Sequence, residues 1–421
     1  MKILIQKVHI NDLHSLHNGT IKDILIENGV VKKIQENISE TADTLIQEPG
    51  LQVSAGWVDI FSHFGDPGYE YKETLESGAH AAAAGGYTDV FVIPDTKPVV
   101  DIKGQVEYIK QKSKSLNVNI LPIGAVTRNL EGKDLAEMYD MHGSGAIAFS
   151  DGTRPVQSAG VLLKALQYVK AFNGVIIQVP DDKSVGANGL MHEGIVSTRL
   201  GLPGKPMMAE ELIIARDIKL ARYTESKIHF TGVTSPRSLE YIRRAKDAGL
   251  SVSCSVTPYH LYFSDEDLID YDTNLKVYPP LRTKSDISAL KQAVLDGTVD
   301  CIATHHFPHE YDSKIVEFEY AKYGMTGLET AYSVLRTVLP EINGQQMADL
   351  FSLNARRIFG LTQPEINEGK TCCLTLYQPD MPWVPQEESF HSKSKNTPFI
   401  GKQLRGKVIG IINVEKVFLN N

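Results

Sequence analysis

Between residues 88 and 304, apolar runs of strand length alternate with segments of helical periodicity, and this alternation restricts the chain to few folds. The runs are 88–94, 119–123, 146–149, 175–179, 227–231, 251–256 and 301–304. Strands that repeatedly give way to helices predict parallel strands wrapped by crossover helices. Segments 238–249 and 285–297 carry the helical pattern and end at Gly249 and Gly297, as helices commonly do. In a barrel built this way functional groups project from the C-terminal ends of the strands, so chemistry is expected in the residues after each run.

The two chain ends read differently. Residues 1–52 hold short strands, including a hairpin over 24–34 whose turn is Asn28-Gly29. The same texture returns from about residue 369, in 373–377 and 406–414. The expectation is an α/β chain: a TIM-like (β/α)8 barrel over 53–365, with 1–52 and 366–421 joined in a small discontinuous β-sandwich domain.

A length of 421 residues, 42% hydrophobic and 22% charged, suits a globular protein with a sizeable core. The net charge of -8 and the lack of a basic stripe argue against a nucleic-acid surface. No apolar run reaches membrane-spanning length, and charge interrupts the alternating start too early for a signal peptide. Cys254, Cys301, Cys372 and Cys373 lack CxxC spacing, which predicts buried thiols in a reducing, cytoplasmic compartment. The pair Gly85-Gly86 after an alanine-rich helix reads as a helix cap.

Segment 56–64 reads Gly-Trp-Val-Asp-Ile-Phe-Ser-His-Phe. Strand side chains alternate faces, so Phe61 and His63 point the same way, at the spacing two metal ligands would use. Phe61 has no lone pair to give. This strand, together with 66–74 (Asp-Pro-Gly-Tyr-Glu-Tyr-Lys-Glu-Thr), 94–98 (Pro-Asp-Thr-Lys-Pro), 202–204, 256–261, 279–282 (Pro-Pro-Leu-Arg) and 392–399, resembles dihydroorotases of the cyclic amidohydrolase group over nearly the whole chain. That resemblance implies a zinc site, mono- or binuclear. Its ligands would be two histidines on the first strand, a mid-barrel carboxylate or carboxylated lysine, two further histidines and a late aspartate.

Placed on this sequence, the resemblance puts Phe61 where the partner of His63 belongs and Asp151 at the carboxylate. Gln178 stands where a ligand histidine is expected, Gly232 where the second histidine of a pair begun by His229 is expected, and His305 where the late aspartate is expected. A neutral imidazole can ligate zinc or take a proton, which makes His305 the catalytic candidate, but it lacks the carboxylate's charge. Zinc needs about three protein ligands and an open position. His63, Asp151 and His305 form the reduced set, holding at most one zinc; His229, His306 and His309 are expected to pack or hydrogen-bond.

The positions implied for substrate have changed as well. Gly65 replaces the arginine that would hold a carboxylate, removing a bidentate fork. Asp95 replaces an asparagine and sets a negative charge against an anion. Tyr278 replaces a second asparagine and lacks the amide's paired donor and acceptor. Only His309 matches, while Lys72 in its loop is a further candidate for ligand contact.

These changes fall on positions that serve one purpose. They point to a catalytically degenerate dihydroorotase-like protein of pyrimidine biosynthesis, acting as a structural or regulatory subunit. The resemblance implies aspartate carbamoyltransferase or an active dihydroorotase as partner, and a homodimer. The alternative is a zinc-dependent cyclic amidohydrolase, either an ordinary dihydroorotase or a hydrolase of altered specificity with a reduced metal site.

Overall fold

The computed structural model describes residues 1–420. Strands Trp57–Ser62, Tyr87–Val92, Asn119–Gly124, Ala148–Phe149, Val175–Gln178, Lys227–Thr231, Val252–Val256 and Cys301–Ile302 lie side by side in chain order. Each neighbouring pair is parallel. The first and last strands meet where the His63 N–H donates to the His306 carbonyl at 2.9 Å, beside a parallel bridge between Ser62 and His306. The sheet thus closes into the expected barrel.

Helix starts follow from local chemistry. Ser235 caps Pro236–Asp247 by accepting the Ser238 N–H, and Thr283 forms a capping box with Asp286 at the head of Lys284–Leu295. Gly249 and Gly297 follow these helices with φ of 75° and 78°, a region where a side chain would be strained. Leu239, Ile242 and Ala245 on one such helix pack into the layer between strands and helices. Inside the barrel a separate cluster holds Ile60, Phe61, Phe91, Ile123, Ile177 and Ala303.

Both chain ends contribute to a second eight-stranded sheet. Cys373–Trp383 runs antiparallel to Gln52–Ala55, pairing Leu374 with Ala55 and Tyr377 with Gln52. Asn28 and Gly29 turn the hairpin between Ile21–Glu27 and Val30–Gln35 with φ of 48° and 72°, as a turn matched to strand twist requires. The chain then passes from sheet to barrel at Gly56. A Cβ there would stand 2.3 Å from Thr88 Oγ1 and 2.7 Å from Cys373 Sγ, so the crossing needs glycine.

Trp57 locks the two parts together, its ring 4.8 Å from Phe351, 5.1 Å from Tyr332 and 5.4 Å from Tyr377 between centroids. Gly85 caps Leu75–Ala84 by donating to Ala81, as read from the sequence. Cys254, Cys301 and Cys372 are buried free thiols and Cys373 is partly buried. Among the described residues no helix is long and apolar enough to cross a membrane.

Candidate active site at the barrel mouth

Phe61 on the first strand and His63 just beyond its end both reach Phe307. Phe61 lies 6.2 Å from it between ring centroids, and His63 stacks on it at 5.8 Å. Phe61 also covers the His305 imidazole at 4.6 Å. The edge of that imidazole approaches Gly232, where a Cβ would stand 2.7 Å from His305 Cε1 and 3.2 Å from Pro279 Cδ. The imidazole at 305 therefore fills the slot that a side chain at 232 would enter, and the phenyl ring at 61 closes it.

The reduced ligand set is not assembled. His63 Nε2 donates to the Asp95 carbonyl at 3.0 Å. Asp151 Oδ1 accepts the N–H groups of Val126 and Thr127 at 2.9 and 2.8 Å, and its Oδ2 accepts the Thr127 hydroxyl at 2.5 Å. His305 Nε2 bonds to Thr231 Oγ1 at 2.8 Å. Among the described residues no three His, Cys, Asp or Glu side chains are grouped to hold an ion.

Gln178 needs a correction of another kind. On its strand Ile177 belongs to the barrel interior and Ile176 to the outer layer, so Gln178 faces outward with Ile176. Its Nε2 donates to Asp217 Oδ2 at 3.2 Å on the surrounding helix Met208–Thr224. Gln178 thus belongs to the strand–helix layer rather than the mouth.

Behind His305 runs a buried hydrogen-bond chain. Ser253 Oγ meets His229 Nδ1 at 2.8 Å, His229 Nε2 meets Ser255 Oγ at 3.0 Å, and Ser255 donates to Thr231 Oγ1 at 2.9 Å. Because the Ser255 proton is spent on Thr231, its oxygen accepts from His229, and Thr231 is left to donate to His305 Nε2. Burial holds His305 and His229 down to about 3 and His63 to about 4, so all three imidazoles are neutral near pH 7. His306 packs against Glu73, with Nε2 3.4 Å from Oε2, and its Nδ1 accepts the Gly327 N–H.

Of the substrate positions, Gly65 has φ of +69°, and a Cβ would stand 2.9 Å from the Tyr69 carbonyl oxygen. The backbone there excludes an arginine as firmly as the sequence does. Asp95 Oδ2 accepts the Thr153 hydroxyl at 2.9 Å, while Oδ1 is buried without a partner. Burial pushes the Asp95 carboxyl up to about 6. Tyr278 donates to Asp181 Oδ2 at 2.5 Å, and Lys205 pairs with the same oxygen at 2.8 Å. The sequence reading missed this Tyr278–Asp181–Lys205 network, since nothing near Lys205 in the chain marks its partner. His309 donates from Nε2 to the Tyr323 carbonyl at 2.9 Å, leaving Nδ1 without a partner.

Comparison with known proteins agrees with this barrel. Residues 51–238 match the family model described as Dihydro-orotase-like. The chain is 41% identical over 390 residues to a Dihydroorotase of Caldanaerobacter subterraneus subsp. tengcongensis, covering 92% of this chain and 90% of that protein. The chain belongs to the dihydroorotase-like family. A Dihydroorotase of Syntrophus aciditrophicus is 39% identical over 414 residues, covering 97% of each chain. In three dimensions the L-hydantoinase (dihydropyrimidinase) of Arthrobacter aurescens superposes with a TM-score of 0.86 at 21% identity, covering 99% of this chain and 96% of that one, which shows a shared fold.

In this dihydroorotase-like protein, side chains at the positions that the resemblance assigns to zinc bond to the protein's own groups. His63 Nε2 is engaged with the Asp95 carbonyl, Asp151 accepts from Val126 and Thr127, His305 Nε2 is held by Thr231, and an aromatic ring stands at the partner position of His63. The side chains in place do not fit a zinc ion with an open coordination position.

Proposed function

We propose that this dihydroorotase-like protein has left catalysis and serves pyrimidine biosynthesis as a structural or regulatory subunit in the cytoplasm. One observation carries the reading: Phe61 and His305 pack ring against ring, 4.6 Å apart between centroids and tilted by 35°, in the space that metal ligands would line. The Thr231 hydroxyl holds the His305 Nε2 lone pair at 2.8 Å, and a close-packed buried ring pair leaves no room for a metal-bound water. The altered positions at Gly65, Asp95 and Tyr278 support it from the substrate side.

An assembly with aspartate carbamoyltransferase, or with an active dihydroorotase, gives such a scaffold a role, and self-association as a homodimer accompanies it. Copurification of either enzyme with the untagged protein is the expected result.

A second reading is favoured by the relatives, which at about 40% identity over most of the chain carry the name Dihydroorotase. On that reading the chain is a cyclic amidohydrolase, of dihydroorotate or of another cyclic amide, and its mouth rearranges to take up metal. Elemental analysis of untagged protein with dihydroorotate turnover in both directions, before and after zinc addition, separates the two. Metal-free protein without turnover supports the subunit; turnover that follows zinc uptake establishes the enzyme and overturns the first reading.

A further inference from the structure

A cavity of about 260 Å³ lies between the terminal sheet and the first barrel helix, and Glu329, Trp383, Glu388 and His391 are in its lining. None of these belongs to the barrel-mouth network. Glu329 lines it, and its carboxylate accepts hydrogen bonds from backbone: Oε1 accepts the His391 N–H at 2.6 Å and Oε2 the Ser392 N–H at 3.2 Å. Each oxygen retains a second lone-pair direction. Lys395, whose charge acts on Glu329, spends its ammonium on the Phe390 and Ser392 carbonyls instead.

Burial pushes the Glu329 carboxyl up to about 8, with Glu73 adding to the rise and the two N–H bonds and Lys395 opposing it. A partly buried carboxyl without a salt-bridge partner, set in a cavity wall, attracts a positively charged guest once it is ionised. Glu388 adds to the negative side of the cavity, and Trp383 offers an aromatic face of the kind that attracts cations. His391 is held below its usual range by burial and by its basic neighbours His80 and Lys395, so it adds little competing charge near neutral pH. Lys407 also lines the cavity.

We propose that this cavity binds a small organic cation, an amine or a guanidinium compound, with its charged head on Glu329 and its apolar part against Trp383.

The segment that supplies both N–H groups to Glu329 continues to the barrel mouth. Ser392 donates its hydroxyl to Glu73, which also accepts the Lys393 N–H at 3.0 Å. Ser394 donates to the Lys72 carbonyl at 2.7 Å, and Asn396 accepts the His309 N–H at 2.9 Å. A guest on Glu329 therefore acts on one end of a strap whose other end orders the loop of His309.

The test uses the full-length protein and Trp383 fluorescence, since the other tryptophan, Trp57, is fully buried in the core. Methylguanidinium is titrated at pH 6, 7 and 8.5, with methylurea as a neutral match in shape. The expected result is saturable binding of methylguanidinium, tightening by up to about tenfold per pH unit below about 8 as the competing proton leaves Glu329. Methylurea should bind at least about tenfold more weakly, and Glu329→Gln should abolish the preference. Equal response to the two compounds, no saturable response, or an unchanged preference in Glu329→Gln overturns the proposal. Should that variant fail to fold, the comparison of compounds and pH in the unaltered protein decides. The outcome is independent of whether the barrel mouth turns over a substrate.

Discussion

His305 and Gly232 exclude each other: the imidazole Cε1 lies 2.7 Å from where a Cβ on Gly232 would stand. Two of the positions that the family resemblance assigns to metal ligands are thus coupled by packing. Restoring one without the other meets a steric barrier, and each restoration has a defined expected outcome.

Gly232→His combines a clash with a backbone at φ of +70° that side chains seldom adopt. Overpacking of this kind costs about 1–3 kcal/mol, and the left-handed conformation adds roughly 1 kcal/mol. Urea denaturation should show the loss, and elemental analysis should show no zinc gained. A variant as stable as the parent with stoichiometric zinc would show that the His305 ring yields easily.

Phe61→Ala should be among the most damaging changes at the mouth. Phe61 is fully buried against His305 and Phe307, and truncating such a ring costs about 3–5 kcal/mol. Phe61→His removes less volume but places a polar ring in the same apolar setting, so it should destabilise less and still leave the protein metal-free. The check is a shift in the denaturation midpoint together with metal content.

Asp95 predicts a pH dependence with a definite sign. Its carboxyl is pushed up to about 6 by burial, above the usual 3.8, so the folded state holds the proton more tightly than the unfolded state does. This group's effect is neutral below about pH 3.8, and stability falls as pH rises through 4 to 6, the loss being complete above about 6. Asp95→Asn should therefore stabilise the protein at pH 7 by on the order of 1–2 kcal/mol and flatten that part of the profile. Equal stability of the two proteins at pH 5 and pH 8 would contradict the assignment.

Lys205 and Tyr278 share Asp181 Oδ2, and the two losses should differ in size. Lys205→Met leaves a buried carboxylate without its cation, an effect of about 3–5 kcal/mol where one partner of a buried pair is removed. Tyr278→Phe removes one donor while Lys205 remains, costing about 1–2 kcal/mol. Thermal unfolding of the two variants and their double should rank them in that order and show less than additive loss.

Much of this molecule was legible before its structure. The alternating runs marked the barrel because strand and helix periods are local, and Asn28-Gly29 marked its hairpin because few residues adopt positive φ in succession. Phe61 and His63 were placed on one face by strand periodicity alone, and both indeed touch Phe307. The family resemblance set Gln178 at a ligand position, whereas its strand turns Ile177 to the interior and sets Gln178 toward Asp217.

What the chain could not disclose were relationships between residues far apart along it. That His305 fills the space beside Gly232, that Lys205 meets Tyr278 through Asp181, and that the 390–397 segment links Glu329 to His309 are all consequences of closure. Sequence by itself determined which elements form and which residue types stand at each position, because propensity, alternation and side-chain chemistry are properties of short segments. Only the tertiary structure decided whether the remaining donors meet one another, because that depends on how rings and carbonyls from different strands compete for the same few cubic ångströms.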